Sequence, residues 1–397
     1  MTQIKNNILN DVCELIVDCE HKTAPTQATG YPSIRTPNIG KGRLLLDNVN
    51  RVSEQTYKAW TKRAIPQADD LILAREAPIG NVAIIPNNVK VCLGQRTVLI
   101  RANKDKIEPN YLVYLLLGDE IQGKILSISN GATVHHLNMK DIRNLELPKL
   151  PSLYTQRKIA AILSAYDRLI ENNTRRIEIL EEMARSIYRE WFVNFRFPGH
   201  EQAQMVDSEL GPIPEGWEVG RLDDALILQR GFDLPTQQRK EGNIPIYAST
   251  GVTGTHNEAK VKAPGVVTGR SGSLGTVIYI DEDFWPLNTT LWVKEFRRVT
   301  PLYAFYLLSN LKLEQYNSGA AVPTLNRNDI HGRSVVIPPQ KILEHLNLFV
   351  EPLLVLKKNL LKRSDYLRQT RDLLLPRLIS GEIDVENLDI KTGEIAA

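Results

Sequence analysis

The chain has 397 residues, 42% of them hydrophobic and 24% charged, with a formal net charge of +3. That length exceeds what one hydrophobic core serves, so two or more domains are expected, in a globular protein that is neither disordered nor strongly basic. Any nucleic-acid site must be a local patch. No window approaches the roughly twenty uncharged residues of a bilayer span and MTQIKNNILNDVCELIV lacks a leader pattern, so a cytoplasmic protein without membrane contact is expected.

Residues 1–150 carry short β-branched runs broken by turn residues, the pattern of a mixed, strand-rich domain. Cys13, Cys19 and Cys92 are an odd, sparse set that suits a reducing compartment. Cys13, Cys19 and His21 fall short of the four ligands of a closed zinc site, so buried thiols and no metal are expected. A helix over 151–197 follows, in which Ile159, Tyr166, Asn173, Leu180 and Ile187 fall seven apart, supported by Ile162, Leu169 and Met183. Arg176 and Glu190 interrupt the weaker seam positions, where Ile177 and Trp191 take over the packing. Tyr188, Trp191, Phe192 and Phe195 are too aromatic for a free helix surface and are expected to pack on one of the strand-rich domains or on a partner.

Residues 198–216, rich in proline, glycine and polar side chains, form a linker to a second mixed domain over 217–337. A second helix over 338–383 repeats the heptad at Leu346, Leu353, Leu360, Leu367 and Leu374, supported by Phe349 and Leu356. Pro352 is expected to kink it or to set its start, Pro376 to bend its last turns, and Gly381 to end it. Residues 384–397 are a C-terminal tail.

The two halves follow one plan. Arg75-Glu76-Ala77-Pro78-Ile79-Gly80-Asn81-Val82 matches Arg270-Ser271-Gly272-Ser273-Leu274-Gly275-Thr276-Val277, each an arginine, a small-residue turn, a glycine and a β-branched run. Tyr111–Leu116 matches Tyr303–Leu308, and Thr133-Val134-His135-His136-Leu137-Asn138 matches Ala321-Val322-Pro323-Thr324-Leu325-Asn326. Leu147-Pro148 and Ile337-Pro338 close the copies. Four such matches in the same order mark an internal repeat.

Three stretches then resemble a known family. Gln156–Leu163, continued through Ala184–Phe192, resembles the central conserved helix of type I restriction-modification specificity subunits. Ser208–Trp217 resembles the entry to their second recognition domain, and Arg371–Ile383 the end of their distal conserved helix. The resemblance implies an α+β chain of two strand-rich target-recognition domains separated by two long helices that form an antiparallel coiled coil. It further implies double-stranded DNA as ligand, a split target with one half per domain, and a non-catalytic role. Two adenine methyltransferase subunits and two ATP-dependent restriction subunits are the implied partners, and S-adenosylmethionine, ATP and magnesium belong on those partners.

The residues offer no catalytic site. There is no G-x-x-x-x-G-K-[ST] loop, and Pro338-Pro339-Gln340 lacks the flanks of an adenine methyltransferase motif. Gly269–Gly275 precedes a strand rather than a helix, and so is neither a dinucleotide fingerprint nor a nucleophile elbow. Glu258-Ala259-Lys260 has no upstream Pro-Asp to complete a nuclease site, and adjacent His135 and His136 point to different sides.

DNA contact is expected from loops in which Arg, Asn and Gln stand near glycine, since these side chains pair bidentately with guanine or adenine edges. The candidates in the first domain are Arg35, Thr36, Asn38, Lys41, Arg43, Arg75, Gln95 and Arg96. Those in the second are Tyr247, Ser249, Thr250, Arg270, Ser271, Ser273, Asn288, Thr289 and Thr290. Arg75 and Arg270 are either phosphate anchors or structural arginines that hold a loop by its carbonyls. A free-standing DNA-binding adaptor or regulator and a coiled-coil scaffold remain the alternative functions.

Overall fold

The structure is a computed structural model and describes residues 7–129, 136–319 and 321–392. Thr133, Val134 and His135 of the repeat lie outside the described residues. The chain divides into two compact units, Met1–Asn173 with Lys362–Ala397, and Thr174–Leu361. Each holds one strand-rich body and part of each long helix.

In the first unit, strands β1 (Cys13–Asp18), β2 (Gly42–Arg43), β3 (Leu71–Ala74), β4 (Val82–Ile84) and β5 (Thr97–Ala102) lie in the order β1-β5-β3-β4-β2. Leu71, Leu73, Val98 and Ile100 pack on one face with Tyr111, Leu112 and Leu115 of helix α1 (Pro109–Leu117). Ile72, Ala74 and Leu99 pack on the other with Cys19, Ile34 and Val91. Covering on both faces is why these strands are continuous apolar runs instead of alternating ones. Helices α2 (Asp119–Ile128), α3 (Met139–Arg143) and α4 (Leu153–Tyr188) follow. A smaller sheet has Tyr31–Ile34 at its centre, antiparallel to Arg51–Val52 and parallel to Cys92–Leu93.

The second unit repeats this topology. Strands β6 (Leu226–Arg230), β7 (Gly265–Gly269), β8 (Val277–Ile280) and β9 (Thr290–Phe296) lie in the order β6-β9-β7-β8, matching β1-β5-β3-β4. Its smaller sheet has Ile244–Ala248 at the centre, antiparallel to Gly251–His256 and parallel to Trp285–Pro286. Helices α5 (Pro301–Asn310) and α6 (Arg327–His331) correspond to α1 and α3, and α7 spans Gln340–Ile379.

Within each unit α4 and α7 run antiparallel. In the first, Lys158 reaches residues 385–388 while Asp167, further along α4, meets Arg371 at 2.5 Å. In the second, Glu181 meets Lys357 at 2.7 Å, and Trp191 lies edge-on to Phe349, with ring centroids 5.5 Å apart. All ten residues of the two heptad columns are buried or half-buried.

The second seam column lies elsewhere than expected. Leu169, Met183, Phe349 and Leu356 are exposed. Their place is taken by residues four positions after the column: Leu163, Ile170, Ile177 and Ala184 in α4, and Val350, Lys357, Ser364, Arg371 and Leu378 in α7. A seam residue and the one four positions on also make a heptad pair, and here Lys357 and Arg371 of that column are accommodated by ion pairs with Glu181 and Asp167 across the seam, while the Ser364 hydroxyl is buried without a partner among the described residues.

Pro352 neither starts nor interrupts α7. Its ring is exposed, on the side where water can take the carbonyl that loses its helical donor. Gly381, at φ +78°, ends the helix by donating to the Leu378 carbonyl at 3.3 Å.

Two connecting segments belong to the cores. In the second unit α4 ends in a π-turn, Arg189–Val193, and Tyr188, Trp191 and Phe192 are buried with Phe197, Ile213, Trp217 and Tyr303. The aromatic end of α4 thus packs on the second strand-rich body. Within 198–216, Met205–Val206 pairs with Ile213–Pro214. In the first unit the buried Lys158 ammonium donates to the carbonyls of Val385 (3.2 Å), Glu386 (2.7 Å) and Leu388 (2.7 Å), which pins the segment after α7 to the start of α4.

Candidate nucleic-acid interface

Antiparallel order brings the ends of β1 and β3 and the start of β5 to one edge of the first sheet, and the same holds for β6, β7 and β9 in the second. Arg75 and Arg270 stand at these edges in the same backbone setting. The Arg75 N–H donates to the Arg96 carbonyl (2.9 Å), and its own carbonyl accepts from Leu137 N–H (3.2 Å). The Arg270 N–H donates to the Thr289 carbonyl (2.8 Å), and its carbonyl accepts from Leu325 N–H (2.8 Å). The sequence repeat is therefore a repeat of hydrogen bonds.

The side chains differ. Arg75 is buried, and its guanidinium donates to Asp18 Oδ2 (2.6 Å), the Leu137 carbonyl (2.9 Å) and His136 Nε2 (2.9 Å). Arginine can only donate, so His136 Nε2 is the acceptor and Nδ1 carries the proton that goes to Glu76 Oε1 at 2.7 Å. Glu76 in turn holds the exposed Arg96 at 2.9 Å. Holding a loop by its carbonyl is the structural role the sequence left open for Arg75, and a phosphate contact there requires this network to open. Arg270 is only half-buried, with one bond of 3.3 Å to the Asn288 carbonyl.

Among the other candidates, Arg35, Lys41, Arg43, Arg96 and Thr250 are exposed. Asn38, Gln95, Tyr247, Ser271, Ser273, Asn288 and Thr289 are half-buried. Thr36, Ser249 and Thr290 are buried, and Thr290 Oγ1 donates to the Leu287 carbonyl at 2.7 Å, inside the fold. Asn38 holds its own turn, accepting from Arg35 N–H (3.1 Å) and donating to the Leu45 carbonyl (3.3 Å).

Two residues at the second edge were missed. Arg230 and Asp233 pair at 3.3 Å, and Asp233 also accepts from the Asn288 amide. Their signal was the Arg-Gly-Phe-Asp turn closing a strand.

Asp18, Cys19 and His21 form the one group of metal-type ligands among the described residues, with ligand atoms within 4.8 Å of one another. Cys13 is not part of it. The set does not fit a metal: Asp18 Oδ2 is already held by Arg75 and by His21 Nε2 (3.0 Å), and burial pushes the Cys19 thiol up, away from the thiolate a metal needs. Burial likewise pushes Cys13 to about 12. Glu258 and Lys260 pair with each other at 2.8 Å on the surface.

A family model described as the type I restriction modification DNA specificity domain matches residues 3–182 and 214–362. The chain belongs to that family. It is 30% identical to the type I restriction enzyme MjaIX specificity subunit of Methanocaldococcus jannaschii, covering 85% of this chain and 82% of the relative. It is 25% identical to the putative MjaX specificity subunit of the same organism, covering 95% and 93%. The crystal structure of the S subunit of a type I restriction-modification system from M. genitalium shares the fold, with a TM-score of 0.64 and 16% identity over 95% of this chain and 97% of that one. As a type I specificity subunit, the chain is a DNA-recognition component of host defence and carries no catalysis of its own. No helix among the described residues is long and apolar enough to cross a membrane.

Proposed function

We propose that the chain reads a two-part double-stranded DNA target, one part per strand-rich body, and carries the catalytic subunits to it. The observation that carries this reading is the duplicated edge. One backbone frame carries Gln95 and Arg96 in the first unit and Asn288 and Thr289 in the second, so the same scaffold holds two different sets of base-pairing side chains, which supports the reading of two different half-targets. Replacing residues 217–337 by the matching segment of a related subunit, in a complex with methyltransferase subunits, is expected to change one half of the methylated sequence and keep the other. A change in both halves rules out independent reading.

Docking of methyltransferase subunits is supported by the outer face of α7. Leu348 (69% exposed) and Val355 (60%) line a groove of about 500 Å³ with Pro352 and Leu356, an apolar helix stripe turned to solvent. Two such subunits and two restriction subunits complete the assembly we envisage in the cytoplasm, and these partners supply the S-adenosylmethionine, ATP and magnesium chemistry.

A further inference from the structure

We propose that Asp233 is a positioning residue that fixes the Asn288 amide to read an adenine; this rests on the DNA-reading function above. The geometry begins with Gly231. A Cβ there would lie 2.2 Å from the Leu287 carbonyl oxygen and 2.6 Å from that of Pro286, so only glycine lets the turn after β6 lie against residues 286–288. Gly231 N–H donates to the Thr290 carbonyl (3.0 Å) and Phe232 N–H to the Pro286 carbonyl (2.8 Å), which delivers the Asp233 carboxylate to the Asn288 side chain.

A carboxylate only accepts, so the amide nitrogen of Asn288 must face Asp233 and the amide oxygen must face away. Arg230 Nη2 holds the same carboxylate oxygen at 3.3 Å, and Arg270 Nη1 holds the Asn288 carbonyl at 3.3 Å. Both the main chain and the side chain of Asn288 are thereby fixed before any ligand arrives. One amide N–H is spent on Asp233. We take the spent N–H to be the one directed away from Oδ1; the N–H beside Oδ1 then stays free, and Oδ1 meets no donor among the described residues, which leaves a donor next to an acceptor. That pair matches the major-groove edge of adenine, with N6 as donor and N7 as acceptor; guanine presents two acceptors there and leaves Oδ1 unmatched.

The test uses the chain in complex with methyltransferase subunits and maps methylated sites in a randomised DNA library. Asp233→Ala and Asn288→Ala are each expected to relax the same single adenine position, in one half of the target, on the order of tenfold. The salt dependence and the other half should stay unchanged, and the double variant should do no more than either single one. Asp233→Glu, which keeps the carboxylate, should retain more discrimination than Asp233→Ala. Should Asp233→Ala fail to fold, Asn288→Ala decides alone, because it removes the reader. Unchanged specificity in the variants overturns the proposal. So does a uniform loss over all sequences with a flatter salt slope, the mark of a phosphate contact. A wild-type complex that recognises no two-part target overturns the DNA-reading function and this inference together, which separates the two failures.

Discussion

Arg75 and Arg270 share one backbone setting, but only Arg75 is sealed into its unit, against Asp18. Arg75→Ala leaves a mostly buried carboxylate without its cation and is expected to cost about 3 kcal/mol of stability. Arg270→Ala, which breaks one long bond at a half-buried site, should cost about 1 kcal/mol or less and act mainly on DNA affinity. Urea unfolding of the two variants checks the order. Equal midpoints for both would remove the distinction.

His331 gives the second unit a pH dependence. Its Nε2 accepts from Leu228 N–H at 3.1 Å, where a bulge in β6 takes that group out of the ladder. Burial and the neighbouring Arg327, Arg221 and Arg297 hold the imidazole below its ordinary 6.5, with Asp223 opposing. The unfolded chain therefore binds the proton more readily, and stability falls as pH drops through 6.5 toward the lower folded value. His331→Gln, whose carbonyl can accept the same N–H without titrating, should flatten thermal midpoints measured between pH 7.5 and pH 5 (about the histidine range).

Asn173 sits buried in the seam with Nδ2 unpartnered among the described residues. Asn173→Leu is expected to raise stability by about 1 kcal/mol. Leu163→Ala, in the buried seam of the same unit, should lower it by about 3 kcal/mol. Calorimetric midpoints that move in the same direction would contradict the seam assignment.

The α7 stripe yields a separable phenotype. Leu348→Asp and Val355→Asp change exposed side chains, so folding should be spared, while copurification with methyltransferase subunits should drop at least about tenfold if a desolvated contact worth more than 1.4 kcal/mol is lost. Full assembly by the double variant would place the docking surface elsewhere.

The strand-rich bodies and the first seam column were legible because each is a local periodicity, and the repeat because its matched segments recur in the same order in both halves. The second column was not. Apolar Leu169 and Met183 drew the pattern three residues on, while Lys357 and Arg371 of the true column look polar until Glu181 and Asp167 are brought opposite them. Asp233 was invisible for a related reason: an acidic residue does not suggest contact with a polyanion unless its hold on Asn288 is known. The burial of Arg75 depended on Asp18 and Leu137, each about sixty residues away.

The Lys158 clasp on residues 385–388 also governs the order in which the chain can fold as it is made. Residues 174–361 are one continuous stretch and can close their core as soon as they leave the ribosome. The first unit begins earlier yet must wait, because Leu378, Val385 and the carbonyls that receive the Lys158 ammonium are synthesised last. Until then its Leu163 face stays open to water. Nascent chains held on the ribosome so that residue 361 has emerged while residues 378–388 have not should therefore show protease protection of the second unit before the first, an inversion of the usual amino-to-carboxyl order.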